Sequence, residues 1–162
     1  MASGISFSII PFAEWRKEIA PLWLMEGSFK RIPPILNAHG QMQYSGRELF
    51  ERVLLFPIAA TLSGERIAWT SVYNISDTAV RVRGIYVNPE FRSNGIGRSM
   101  VEYAISLWPE QWSNCFMYAR ASNVERYARW GFRPVKSYGM RSFEQGDLFD
   151  EPGIVLVQKS RL

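Results

Sequence analysis

The segment at residues 88–100 constrains what this chain can fold into and bind more than any other. Its sequence, NPEFRSNGIGRSM, places Arg92, Gly95 and Gly97 between an apolar run that ends at Val87 and the predicted start of a helix. The first amides of a helix have no acceptor within the helix, and the helix dipole adds partial positive charge there. Glycine removes the Cβ atom that would keep an anion at a distance. The segment therefore predicts an anion site, with an ordinary tight turn as the alternative.

Two familiar phosphate-binding loops do not fit this segment. The nucleoside-triphosphate loop ends in Gly-Lys-Ser/Thr, whereas Gly97 is followed by Arg98 and Ser99. The dinucleotide fingerprint has a third glycine three residues further on, where this chain has Met100. In the pattern that remains, Arg-x-x-Gly-x-Gly, main-chain amides and the guanidinium of Arg92 would bind a diphosphate. Such a site needs no lysine, because hydrogen bonds to charged acceptors contribute about 1.5 to 3 kcal/mol each.

Length and composition favour one domain over residues 1–162, since 47% of the residues are hydrophobic and supply a core. The longest apolar run, residues 53–60, is interrupted by Pro57 and is too short for a membrane span, so we expect no membrane partner. The first dozen residues lack a secretory pattern, and Cys115 has no second cysteine to pair with, so we expect a cytoplasmic protein. The basic residues are scattered, which disfavours nonspecific nucleic-acid binding.

The predicted elements follow the order β-αα-βββ-α-β-α-ββ. A first strand covers GISFSIIP, and the next segment predicts a helix that Pro21 should kink or end. Residues 27–40 are predicted as a loop, and SGRELFERVLLF, residues 45–56, as a second helix. Three strands with tight connections then predict an antiparallel meander: PIAATLS, IAWTSVY and AVRVRGIYV. The remaining predicted elements are a helix in GIGRSMVEYAISLW, a strand in CFMYARA, a short helix near NVERYARW and the strands FRPVKSY and GIVLVQK.

The stretch IYVNPEFRSNGIG resembles the central motif of the GNAT superfamily of acyl-CoA-dependent N-acetyltransferases: apolar-x-Val, a proline two residues on, then an arginine and two glycines. RYARWGF resembles a second motif of that family, a tyrosine four residues before a Gly-Phe pair, here Tyr127 and Gly131. The resemblance implies an α/β (α+β) fold with a central mixed, mostly antiparallel twisted sheet of six to seven strands, flanked by about four helices. The parallel fourth and fifth strands of that sheet would splay apart. It also implies an acyl-CoA-binding core over about residues 78–132.

The resemblance implies acetyl-CoA as the acyl donor, with no metal. Main-chain groups of the fourth strand would bind the acetyl carbonyl and the pantetheine arm: Ile85, Tyr86 and Val87. The loop and the first helical turn would cup the pyrophosphate: Arg92, Ser93, Asn94, Gly95, Ile96, Gly97 and Arg98. Asn123 is expected to contact pantetheine. Tyr127 would act as general acid and protonate the departing thiolate; alternatively, its ring only packs on the core and its hydroxyl bonds to backbone.

One departure from the family's pattern lies before the last helix. Many members have an asparagine eleven residues before the Gly-Phe glycine, where this chain has Arg120. Ser122 and Glu125 form a capping-box pattern, which predicts a helix about one turn shorter.

A second departure lies on the fourth strand. Some members have a catalytic glutamate six residues before the central valine, where this chain has Arg81, and no acid occurs over residues 79–87. Strand alternation places Arg81 and Arg83 on the side of Ile85 and Val87, unless a bulge shifts the register. The two arginines would then either meet an anionic acceptor or form a salt-bridged pair on the surface.

The sequence thus predicts an acetyl-CoA-dependent N-acetyltransferase in which a primary amine of a small molecule attacks directly within a ternary complex. The alternatives are acetylation of an aminoacyl-tRNA or a protein N-terminus, and a non-catalytic acyl-CoA-binding regulatory module. His39 is a weak candidate base, and Cys115 is predicted to be a buried apolar residue rather than a nucleophile. The oligomeric state stays open, a homodimer included.

Overall fold

A computed structural model describes residues 4–25, 35–36, 42–44, 55–74, 79–107, 113–135 and 154–160. Within these ranges the strands are β1 (Ile5–Ile9), β2 (Ile35–Leu36), β3 (Met42–Tyr44), β4 (Leu55–Leu62), β5 (Glu65–Asn74), β6 (Ala79–Val87), β7 (Asn114–Arg120), β8 (Arg133–Pro134) and β9 (Ile154–Ser160). The α-helices are α1 (Phe12–Met25), α2 (Ile96–Ser106) and α3 (Val124–Ala128). In this part of the chain, every helix is too short or too polar to cross a bilayer.

Among the described residues, seven strands form one mixed sheet in the order β1-β4-β5-β6-β7-β9-β8, and β2 pairs with β3 separately. The strands β4, β5 and β6 are joined as the antiparallel meander predicted from the sequence. The strands β6 and β7 are paired in parallel. This arrangement confirms the predicted fold class and its parallel pair of strands.

The sheet carries a core on each face. The larger core lies under α2, where Ile96, Met100, Val101 and Ala104 pack on alternate residues of the central strands. The smaller core lies under α1, where Trp15 and Ile19 pack against Ala59, Trp69 and Tyr86. Because successive strand residues point to opposite faces, alternate side chains of the central strands pack in the core under α2 and in the core under α1.

Local predictions differ from the structure at three places. The helix α1 continues past Pro21 to Met25, so of the two predicted effects of this proline, a kink or an end, the end is wrong, since a proline removes one helical hydrogen bond but leaves the others. The predicted loop over 27–40 contains β2. The predicted second helix lies mainly on residues 45–54, outside the described ranges, but its last two residues, Leu55 and Phe56, begin β4 instead.

Candidate active site

A cleft opens between the parallel strands β6 and β7. Their register runs only from Ala79 opposite Asn114 to Arg81 opposite Phe116, although β6 continues to Val87 and β7 to Arg120. The backbone groups of β6 beyond Arg81 therefore lie outside the β6–β7 ladder. The strands β6 and β7 are the fourth and fifth in the order of this sheet, so their separation is the splay that the family resemblance predicted. It leaves main-chain donors and acceptors directed into the cleft.

A bulge changes the direction of the β6 side chains within the cleft. Trp69 pairs with Tyr86 and Ser71 with Arg83, so two β6 residues stand opposite one residue of β5. Gly84 lies at the bulge with φ of 72°, a left-handed conformation that favours glycine. The Arg83 carbonyl at this bulge accepts hydrogen bonds from the hydroxyls of Thr70 and Ser71, both at 3.1 Å.

The two faces of the cleft differ because of this bulge. Residues on both sides of it pack on the α2-side core: Val80, Val82, Ile85 and Val87. By alternation Arg81 and Arg83 face the α1 side, which is also the side of Tyr86. The sequence analysis placed the arginines on the side of Ile85 and Val87 unless a bulge shifts the register, and the structure has this bulge. Both arginines are buried, at 5% and 8% exposure, so they are not a surface pair.

The first turn of α2 lies just after the end of β6. A short 3-10 turn, Pro89–Phe91, connects the two, and Gly95 is the N-cap of α2 with φ of 75° and no capping side chain. The Gly95 carbonyl accepts the first bond of the helix, from the Ser99 amide at 3.1 Å, so the amides of Ile96, Gly97 and Arg98 are the ones that a helix leaves for an outside acceptor. A Cβ added at Gly95 would meet no described atom within 4 Å. The geometry therefore suits an anion at this helix end.

Arg92 is attached to the end of β6. Its Nε donates to the Val87 carbonyl at 2.8 Å, and its guanidinium carbon lies 5.3 Å from the centroid of the Tyr86 ring. Asn94 closes the loop on itself, because its side-chain amide donates to the carbonyls of Phe91 and Arg92. The structure thus brings the predicted loop residues and the end of β6 together.

Gly97 faces inward, away from the loop surface. A Cβ added there would lie 3.4 Å from Cη2 of Trp130 and 3.9 Å from a methyl of both Ile85 and Val87. The absent side chain at this position lets α2 approach β6 and Trp130 closely.

Tyr127 lies on α3, and its ring packs partly into the α2-side core. Burial raises the pKa of its phenol above the ordinary value, and the charges of Arg126 and Arg120 oppose this more weakly. The phenol is therefore protonated at neutral pH. A Schellman motif fixes the main chain here, because the Phe132 amide donates to the Tyr127 carbonyl and the Gly131 amide to that of Ala128, both at 3.0 Å. This motif gives a physical reason for the Tyr-x-x-x-Gly-Phe spacing.

The start of α3 differs from its predicted form. Asn123 is the N-cap, makes no capping bond with its side chain, and is half-buried. Ser122 lies inside a 3-10 turn, Ala121–Asn123, that runs directly into α3. The predicted capping box of Ser122 and Glu125 is therefore wrong, since Ser122 is already within helical backbone and not at its boundary.

Comparison with known proteins identifies the family. The acetyltransferase (GNAT) domain model matches residues 55–134, which include the cleft, the loop and α3. The chain belongs to the GNAT superfamily. A search of curated protein sequences finds no significant match.

Solved structures of two acetyltransferases and of an acetylglutamate synthase share the fold of this chain at low sequence identity. An acetyltransferase from Streptococcus agalactiae superposes with a TM-score of 0.66 at 11% identity, over 98% of this chain and 99% of that one. A GNAT family acetyltransferase from Elizabethkingia anophelis with acetyl-CoA bound gives 0.59 at 15% identity, over 98% and 99%. N-acetylglutamate synthase from Neisseria gonorrhoeae, complexed with coenzyme A and N-acetyl-glutamate, gives 0.68 at 12% identity over 99% of this chain. This chain spans only 36% of that synthase.

Cys115 and His39 were the other candidates from the sequence, and only Cys115 lies among the described residues. Cys115 is fully buried, and desolvation raises the pKa of its thiol to about 12, so it is the predicted apolar core residue. His39 lies outside the described residues, so its role as a base stays a prediction.

The sequence analysis did not single out Trp130, which lies between two of the predicted site residues. The indole contacts Tyr127, and it stands next to Gly97. The available signal was its place in RYARWGF, three residues after Tyr127 and directly before the Gly-Phe pair.

Proposed function

We propose that this GNAT protein transfers an acetyl group from acetyl-CoA to the primary amine of a small molecule, within a ternary complex. The observation that carries the proposal is the juxtaposition of the β6–β7 cleft with the exposed N-terminus of α2. The cleft presents main-chain groups in a line, and the helix end presents amides that favour an anion. Solved structures of similar fold that hold coenzyme A or acetyl-CoA support the same ligand class.

The residues present fit coenzyme A. The open surface at Gly95 leaves room for a diphosphate against the amides of residues 96–98, and Arg92 and Arg98 add positive charge beside it. Main-chain groups of Ile85, Tyr86 and Val87 would bind the pantetheine arm, and Asn123 stands at the start of α3 to contact it. When bound, acetyl-CoA supplies an activated thioester.

The described residues divide the remaining work. Main-chain donors of β6 in the cleft are suited to stabilise an oxyanion, because they are fixed in a strand and need no reorganisation. Tyr127 holds a proton that it can donate to a departing sulfur, since burial keeps its phenol neutral. Because β6 carries no carboxylate, the amine proton leaves to another base or to water.

Two measurements test this proposal. Titration calorimetry should show that coenzyme A binds at least about 100-fold more tightly than pantetheine, because pantetheine lacks the diphosphate that several amides would bind. Release of free thiol from acetyl-CoA should then depend on an added amine. Equal affinity for the two ligands would contradict the role of α2. Tight binding of coenzyme A without turnover on any amine would instead indicate the regulatory module.

A further inference from the structure

Two buried hydroxyls of β5 bind one carbonyl of β6 at the bulge. Thr70 and Ser71 are 0% and 2% exposed, and each donates to the Arg83 carbonyl at 3.1 Å. On the same strand Val72 packs in the α2-side core and Trp69 in the α1-side core, so alternation places Thr70 on the α2 side and Ser71 on the α1 side. The two hydroxyls therefore bind the carbonyl from opposite faces of the sheet.

The bulge decides which main-chain groups of β6 face the cleft. The Asn88 amide donates to the Ile67 carbonyl of β5 at 2.8 Å, so the main chain of Asn88 faces β5. Main-chain groups alternate in direction along a strand, so those of Ile85 and Val87 face away from β5 and into the cleft. The Val87 carbonyl fits this direction, because Arg92 of the following loop donates to it at 2.8 Å.

Without the bulge, the main chain of Ile85 would face β5 instead. The Arg83 carbonyl is directed to β5, where it meets the two hydroxyls, and unbroken alternation would give Ile85 the same direction. The extra residue at the bulge, where Gly84 has φ of 72°, changes this alternation. The bonds from Thr70 and Ser71 thus fix the last carbonyl of β6 before the change in direction.

We propose that Thr70 and Ser71 are positioning residues for acetyl transfer. By holding the Arg83 carbonyl they fix the bulge, and the bulge directs the amides of Ile85 and Val87 at the carbonyl of the thioester. A donor stabilises an oxyanion best when it is already held in place before the reaction, and a displacement of about 1 Å costs up to about 100-fold in rate. The inference rests on the proposed acetyl transfer, and it adds the side chains that keep the oxyanion contacts in place.

The first test removes the hydroxyls. With Thr70→Val and Ser71→Ala together, kcat should fall by about 100-fold, while the affinity for coenzyme A should stay within about 2-fold because the diphosphate would bind at α2. Thr70→Ser and Ser71→Thr keep a donor, so each should retain kcat within about 3-fold. A folded double variant with unchanged kcat would overturn the inference.

Two control variants separate positioning from a general loosening of the sheet. Val72→Ala removes buried volume from β5 and leaves both hydroxyls, so it should lower the urea midpoint without lowering kcat. Ser106→Ala removes a bond of the same kind far from the cleft, since the Ser106 hydroxyl donates to the Tyr103 carbonyl at 2.6 Å near the end of α2. An equal loss of kcat in Val72→Ala and in the double variant would overturn the inference.

The second test needs no turnover. Calorimetry compares acetyl-CoA with S-ethyl-CoA, a thioether that has a methylene in place of the thioester carbonyl. The unaltered protein should bind acetyl-CoA about 5-fold more tightly, the effect of one neutral hydrogen bond, and the double variant should bind the two ligands equally. If the double variant fails to fold, Ser71→Ala alone should reduce both the preference and kcat. Equal affinity in the unaltered protein, or an unchanged preference in the folded variants, would overturn the inference.

The inference and the proposed function fail in different ways. If the hydroxyl variants lose the preference for acetyl-CoA but no amine is acetylated, the proposed transfer is wrong, and the role of the two hydroxyls in holding the carbonyl contact is supported. If amines are acetylated but the hydroxyl variants keep both kcat and the preference, the inference alone is wrong.

Discussion

The indole of Trp130 lies against the ring of Tyr127, with centroids 4.9 Å apart and ring planes inclined at 60°. A Cβ atom added to Gly97 would lie 3.4 Å from Cη2 of the same indole. One side chain thus contacts the proposed general acid and lies beside the first turn of the helix that would hold the diphosphate. Tilted aromatic pairs contribute about 0.5 to 1.5 kcal/mol beyond the area they bury, so the contact should restrict the position of the phenol.

Replacing Trp130 with leucine should therefore lower kcat by about 10-fold or more, because small displacements of a reacting group cost up to about 100-fold in rate. The free energy of unfolding should fall by about 1 to 2 kcal/mol, since the indole is only partly buried and leucine fills part of the space. Steady-state kinetics and urea unfolding measure the two effects. Trp130→Phe is the control, because it keeps an aromatic partner for Tyr127 and should retain most of kcat. A leucine variant as fast as the unaltered protein would show that Trp130 does not position the phenol.

Gly97→Asp should weaken coenzyme A binding by at least about 10-fold. The new side chain would be directed against Trp130, Ile85 and Val87, so α2 must shift away from β6 and its first-turn amides must move with it. Gly97→Ala is the matched control, because a lone methyl at 3.4 to 3.9 Å makes ordinary contacts. Titration calorimetry measures both variants, and an unchanged affinity in Gly97→Asp would rule out the diphosphate at this helix end.

Tyr127→Phe should lower kcat by about 100-fold, the lower part of the range for general acid catalysis, with little change in stability. A general acid works only while protonated, so its activity is lost as pH rises through its pKa. Because burial raises the Tyr127 pKa above the ordinary value near 10, the alkaline limb of the kcat profile should lie above about pH 10. Phenylalanine should remove that limb. An identical limb in the variant would assign it to another group.

The sequence predicted the parts of this site that depend on local chain chemistry. AVRVRGIYV has the bounds of β6, and α2, Ile96–Ser106, lies within the predicted helix GIGRSMVEYAISLW. The sequence indicates these boundaries because a run rich in β-branched residues is followed by a proline and then by two glycines. The splay of β6 from β7 came from family resemblance, since no local pattern encodes where two distant strands stop pairing.

The rest depends on contacts between distant segments. The bulge at Gly84 places Arg81 and Arg83 on the face opposite to Ile85. The glycine alone does not reveal a bulge, because the bulge depends on the register in which β6 pairs with β5. Leu55 and Phe56 fit helical spacing as well as a strand, and pairing with β5 decides between them. Short apolar runs carry this ambiguity in general.

Arg66 of β5 anchors α1 through Glu14 and Glu18, and the pair with Glu18 should be the stronger one. Arg66 donates to both oxygens of Glu18 at 2.7 Å and to Glu14 at 2.8 Å. Hydrogen bonds raise the pKa of Arg66, and the bond to Glu14 has a larger effect than the bonds to Glu18. The Glu14 side chain, however, is 53% exposed against 31% for Glu18, so solvent screens it more. Trp69 also donates to Glu18, at 3.4 Å.

Double-mutant cycles with Arg66→Ala should give a coupling of about 1 kcal/mol to Glu18→Ala and about half of that or less to Glu14→Ala. Urea unfolding at low and high salt measures the coupling, which high salt should reduce. A larger coupling to Glu14 would show that solvent screening does not decide the contribution of these contacts.

The buried thiol of Cys115 should make the fold sensitive to alkali. Desolvation raises the thiol pKa from about 9 to about 12, against smaller opposing effects of a backbone hydrogen bond with Val82 and of the charge on Lys159. Below pH 9 both the folded and the unfolded thiol keep the proton, so the full stability is present. Above pH 9 the unfolded thiol ionises while the folded one does not, so the free energy of unfolding falls as pH rises toward 12, by on the order of 1 kcal/mol per pH unit.

Urea unfolding at pH 8 and pH 10 measures this slope. Cys115→Ser removes the titration and keeps a hydrogen-bonding group beside Val82, so its slope over this window should be shallower than that of the unaltered protein. Equal slopes would mean that the thiol already ionises in the folded state, and a thiol reagent should then modify Cys115 without unfolding.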